Sequence, residues 1–118
     1  MGILLHDYIE TIESGYEYLL AYAAQGKDTD ESGSGAASEI RTTLDGMAKA
    51  ATGIIGSLEH DEGTFSWVIV DDARKAHAAI SVVLAQKGIS SEIVDNLNAS
   101  IHLRALLTDL FLISEAKA

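Results

Sequence analysis

The chain predicts an all-α fold, an antiparallel up-down-up-down four-helix bundle, on three observations. It contains no proline, so no residue within it removes an amide donor and breaks a long helix. Apolar residues recur at intervals of three and four along most of its length. The stretches "HDEGT" and "GISS" are short connections of the kind that join antiparallel neighbours. A length of 118 residues suits a single helical domain, residues 1–118, with one core and no need of staples.

The first helix is expected over roughly 3–25, where Leu5, Ile9, Ile12, Tyr16, Leu19 and Ala23 recur at helical spacing. The second, over roughly 37–59, carries Ile40, Leu44, Met47, Ala51, Ile54 and Leu58. The third segment is ambiguous, because "TFSWVIV" has high strand propensity. A lone strand, however, has nowhere to send its backbone hydrogen bonds. As a helix over roughly 64–87 it places Phe65, Val68, Ile69, Ala76, Ile80 and Val83 on one face. Thr64 then serves as N-cap, Asp61 and Glu62 suit the positive helix end, and Gly88 supplies the stop. The fourth helix, over roughly 91–116, uses Ile93, Leu97, Leu103, Leu107, Leu110 and Phe111, a stripe that drifts around the axis.

Between the first two helices lies "GKDTDESGSGAA", a flexible acidic linker over 26–37. Within and just beyond it Asp28, Asp30, Ser32, Gly33 and Glu39 stand at the spacing of an EF-hand loop, which this stretch resembles. Oxygen donors around Ca²⁺, a glycine at the turn and a closing glutamate are what that chemistry needs. The stretch departs from the pattern at Gly35, where an aliphatic residue normally pairs with a sister loop, and at Gly26 and Lys27, where the preceding helix should end on an apolar residue. The chain has no second such loop. The expectation is a metal-free linker, with Ca²⁺ binding by Asp28, Asp30, Ser32 and Glu39 as the alternative.

Eighteen acids against eight bases give a net charge of −10. Such a surface repels nucleic-acid phosphates and anionic membranes, so neither is an expected partner. There are no cysteines, which excludes disulfide and thiolate chemistry and fits a cytoplasmic location. "MGILLHDYIE" has too short an apolar run for a signal peptide, and His6 stands where myristoylation favours Ser or Thr. No run approaches the length of a membrane span.

No enzymatic motif is complete. Di-iron bundles use Glu-x-x-His, but Ile3, Ser57, Arg74 and Ala99 precede the four histidines at that spacing. "AQGK" lacks the first glycine of a phosphate loop, and "ESGSG" lacks the nucleophile-elbow spacing. His6, Glu10, Glu13 and Glu17 read as a solvated charged face, and His60, Asp61 and Glu62 as a hydrated turn. The expected protein is not an enzyme and holds no cofactor.

Apolar surface exceeds what one core stripe needs. Leu4, Tyr8, Thr11, Gly15, Tyr18 and Tyr22 form a second line on helix one, and Gly46, Ala50, Gly53 and Ser57 a smaller one on helix two. The last helix is apolar over a wide arc from Leu103 to Ile113. A broad core explains this, as does an interface between two copies; the expectation is a homodimer using Tyr8, Tyr18, Tyr22, Leu106, Leu110 and Ile113. Trp67, in line with Asp71 and Arg74, is a candidate binding hot spot. Asp72 and Arg104 each project into an apolar stripe, so a buried Asp72–Arg104 ion pair is expected, the alternative being Asp72 bonded to Thr108 or water while Arg104 reaches solvent. Together these predict a non-enzymatic adaptor, regulator or inhibitor that works by binding another protein.

Overall fold

Three hydroxyls start three helices. Ser38 Oγ accepts the Arg41 amide at 3.3 Å, Thr64 Oγ1 the Trp67 amide at 3.4 Å and Ser90 Oγ the Ile93 amide at 3.1 Å. Each satisfies one of the orphan donors of a helix N-terminus. The computed structural model describes residues 2–29, 38–58 and 63–116, with side chains in the first helix from Leu5 onward. It comprises five helices: α1 (Gly2–Ala23), α2 (Glu39–Ser57), α3 (Phe65–Leu84), α4 (Ser91–Ala99) and α5 (His102–Glu115). No strand occurs among the described residues, and "TFSWVIV" opens α3 behind its Thr64 cap. None of these helices is long and apolar enough to cross a membrane.

The expected fourth helix is two helices. Asn96, Asn98 and Ser100 stand in its middle, residue types of lower helix propensity, and of the three it is Ser100 whose side chain bonds to the backbone. Ser100 Oγ donates to Leu97 O at 2.6 Å. That carbonyl would otherwise accept the Ile101 amide, which bonds to Asn98 O instead, at 3.2 Å. Ile101 takes a left-handed conformation (φ 63°) and caps α5 with no side-chain hydrogen bond. For a β-branched residue this conformation costs about 1–2 kcal/mol. Its side chain is 60% exposed, so little packing would be lost on removing it. Ile101→Gly is therefore expected to raise the unfolding midpoint, by a net 0.5–1 kcal/mol or roughly so once glycine's extra unfolded-chain entropy is counted.

α2 packs against α1 and α3, while α5 lies mainly on α3 and α4 mainly on α1. The molecule measures 48 × 25 × 21 Å, and one hydrophobic core draws on all five helices. It is filled by residues such as Ile12, Leu19, Leu44, Met47, Ile54, Ile69, Ile80, Leu103, Leu106 and Leu110. The expected stripe of α2 is essentially the observed one. On α3 the stripe turns slightly: Val70 and Ala73 are buried, whereas Val68 is 38% exposed.

The connection after α3 is held from two sides. From α2, the Arg41 guanidinium donates to the carbonyls of Leu84 (3.3 Å), Gln86 (2.9 Å) and Lys87 (2.9 Å). From α1, the Tyr22 hydroxyl donates to Ile89 O at 2.7 Å. Buried Ser91 adds a further tie: its Oγ donates to Tyr22 O at 2.7 Å and accepts the Lys27 amide at 2.8 Å, while its own amide donates to Lys27 O at 2.8 Å.

Candidate functional site

Among the described residues two places hold buried side-chain polar atoms without a hydrogen-bond partner: Asn98 in α4, at both amide atoms, and Asp109 in the seam between α3 and α5. Asp72 and Asp109 are both half-buried, one on each helix. Asp109 Oδ2 is shut off from solvent and has no hydrogen-bond partner among the described residues. The group that bears on this carboxyl is the carboxyl of Asp72, across the seam on α3. Two carboxylates cannot share a hydrogen bond unless one carries a proton. Burial, then the hydrogen bond and charge of Asp72, accordingly push the Asp109 carboxyl up from 3.8 to about 7. An open groove of about 340 Å³ runs beside it, lined by Ile101, Arg104, Ala105, Thr108 and Asp109.

The expected Asp72–Arg104 pair does not form. Arg104 is exposed and makes no ion pair among the described residues. The cause is the break at Ser100–Ile101, which changes the facing of every later residue. The core takes Leu103, Leu106, Leu107 and Leu110, so Arg104 turns to solvent and Asp109 comes round to face α3. Arg104 thus does reach solvent, as the competing expectation had it, but the partner of Asp72 is Asp109 rather than Thr108.

Three of the residues expected to face a partner are buried inside the chain. Leu106 and Leu110 are 0% exposed and Tyr22 2%. Tyr8 lies over Gly53, where a β-carbon would overlap its ring, and Met47 likewise fills the space over Gly15. These close approaches explain both glycines, and the second apolar line of α1 is largely its contact with α2. Nothing lies within 4 Å of the corresponding positions on Gly46 and Gly56. Tyr18 packs against the core, its ring centroid 6.2 Å from that of Tyr22, and its hydroxyl meets Glu39 Oε1 at 3.5 Å. Burial and the Glu39 carboxylate raise the Tyr18 phenol's pKa. Leu4's side chain lies outside the described residues.

Four of the expected interface residues keep some exposure: Ile113, at 40%, and Tyr8, Tyr18 and Trp67, each half-buried. Phe111 (42%) and Leu112 (55%) adjoin Ile113 and give the end of α5 three consecutive exposed apolar side chains. A second apolar surface, a groove of about 280 Å³, lies between α3 and α4 around Ala79, Val82, Ile93 and Leu97.

In the EF-hand-like stretch, Asp28 and Glu39 are exposed, and Asp30, Ser32 and Gly33 lie outside the described residues, as do His60, Asp61 and Glu62. Among the described residues no three acidic or histidine side chains group as a metal site. His6 and Glu10 form an exposed 3.3 Å contact on the charged face of α1. The Asp72–Asp109 pair was not anticipated; the asparagine-rich "DNLNAS" before it was the signal that the register would change.

Comparison with protein families, with curated proteins and with solved structures finds no match to this chain.

Proposed function

We propose that this is a non-catalytic interaction protein of the cytoplasm, an adaptor, regulator or inhibitor that acts as a homodimer. The observation that carries the reading is the exposed Phe111–Leu112–Ile113 run at the end of α5. Three adjacent helical positions point in three directions about 100° apart, so no packing against α3 alone can cover them. Val68, on the first turn of α3, is a further exposed apolar side chain, at 38%. Apolar area of this kind is typical of an interface centre, and the net charge of −10 favours a basic surface on any further partner.

The fold reading that goes with it is an up-down-up-down bundle with its last leg broken. Contacts along α1 and α2 support it, since Tyr8, Gly15 and Tyr18 meet Gly53, Met47 and Glu39 in reversed order.

Light scattering tests the dimer directly. Wild type should weigh twice the monomer at micromolar concentration. Phe111→Glu with Leu112→Glu should halve that mass with helicity preserved, because both side chains are exposed in the single chain. A monomeric wild type overturns the proposal.

A further inference from the structure

We propose that the outer face of α5 pairs with the same face of a second copy as a short parallel coiled coil, Arg104 of each copy meeting Asp109 of the other. This rests on the dimer reading above and gives it an orientation and a register.

The face is the one that α5 turns away from its own core. Leu103, Leu106, Leu107 and Leu110 are buried. On the opposite side Ile101, Ala105, Thr108, Leu112 and Glu115 follow one another at intervals of four, three, four and three, the spacing of a coiled-coil seam. Ile101 is 60% exposed and Leu112 55%. Between them lie the smaller side chains of Ala105 and Thr108, which line an open groove of about 340 Å³ that a ridge of another helix can enter. Phe111 stands at the edge of this seam, 42% exposed, so the pairing covers two of the three apolar side chains at the end of α5. Ile101 holds a backbone conformation that glycine takes without steric cost, and within one chain its exposed side chain has little to pack on. A second copy provides that contact. Ile101→Gly, which relaxes the single chain, should by the same argument loosen the dimer.

Charge decides both the occupant and the orientation. Arg104 and Asp109 flank the seam on opposite sides, about 140° apart around the axis, too far round for one helix to pair them directly. Arg104 is exposed and has no ion pair among the described residues. Asp109 lines the groove, and its Oδ2 lacks a hydrogen-bond partner. In a parallel coiled coil the two flanks of the seam face each other across the helices, and residues at this spacing form the interhelical salt bridges. Two-fold symmetry then makes the Arg104–Asp109 contact twice. In an antiparallel pair each flank meets its own kind, so Arg104 would stand beside Arg104 and Asp109 beside Asp109. Only the parallel arrangement brings opposite charges together. Two such contacts at the centre of the interface also oppose the long-range repulsion between chains of net charge −10.

The chain contains no cysteine, so one introduced cysteine reports the orientation. Glu115→Cys, at the exposed end of the seam, removes no apolar contact. In the parallel pair the two copies of position 115 come within disulfide reach; in an antiparallel pair with Ile101 opposite Leu112 they lie about 25 Å apart along the axis. Mild oxidation at a concentration where the wild type is dimeric should crosslink most of Glu115→Cys and little of Lys49→Cys, an exposed site on α2. Charge reversal gives the second readout, by light scattering at pH 8, above the value of about 7 near which the Asp109 carboxyl titrates. Arg104→Glu and Asp109→Lys should each raise the dimer dissociation constant about tenfold, and an equimolar mixture of the two should restore it. Arg104 is exposed, so Arg104→Glu tests the contact even if Asp109→Lys fails to fold. A monomeric wild type overturns the dimer reading and this proposal together. A dimer that Glu115→Cys crosslinks no better than Lys49→Cys, or that Arg104→Glu leaves as tight as before, overturns the parallel pairing alone.

Discussion

Leu110→Ala is expected to lower stability by about 2–5 kcal/mol, the range for removing a buried leucine and leaving a cavity. Leu110 is 0% exposed and sits in the same cluster as Leu103, Leu106 and Ile69. Its neighbour Phe111 is 42% exposed, so Phe111→Ala should cost well under half as much despite the larger side chain. Urea denaturation of both variants decides it through the midpoint, with the slope unchanged. At a concentration where the chain is monomeric, equal losses would mean that α5 docks with a different face. For the same reason Leu110→Glu is not a probe of self-association: it buries a charge in the core and is expected to unfold the chain rather than only separate a dimer.

Arg41→Met should have the next largest effect, a loss of about 2–3 kcal/mol. Three carbonyls at the end of α3 receive the Arg41 guanidinium, and hydrogen bonds to a charged group contribute more than neutral ones. The last turn of α3 carries no basic residue of its own, so Arg41 also supplies the positive charge that the negative end of the helix favours. Lysine keeps the charge but not the planar fork that spans several acceptors, and Arg41→Lys is expected to recover only part of the loss. Denaturation midpoints give the size of the effect, and faster amide exchange over residues 84–90 should localise it. Unaltered exchange in that segment would show that the guanidinium does not hold the connection.

Local chemistry was the most legible part of the chain. The Thr64 cap and the absence of any strand partner identify α3 as helical despite its β-branched opening, because an unpaired strand has no outlet for its backbone groups. The α2 stripe from Ile40 to Ile54 needed only periodicity. Partners across the fold were less legible. Tyr8, Gly15, Tyr18 and Tyr22 form a line on α1 whether another helix of the same chain covers it or a second copy does. A projection gives the direction of a side chain and not what stands opposite it.

The candidate site shows where this reasoning stops. Asp72 was recognised as a charge that needs a partner, but the partner was sought by counting along an uninterrupted helix. The spacing from Leu97 to Leu103 already departs from three or four, and in the structure Ser100 Oγ bonds to Leu97 O and Ile101 turns left-handed within that interval. Two non-helical residues between α4 and α5, Ser100 and Ile101, are enough to turn Arg104 to solvent and Asp109 toward α3.

The sequence by itself determined the all-helical class, the starts of α2, α3 and α4 to within a residue or two, and the acidity of the surface, because propensity, capping and net charge are local or summed properties. Tertiary structure decided which apolar line is core and which is open, and which charges meet. Those depend on the relative rotation of packed helices, where a single left-handed residue, Ile101, reorients every side chain that follows it.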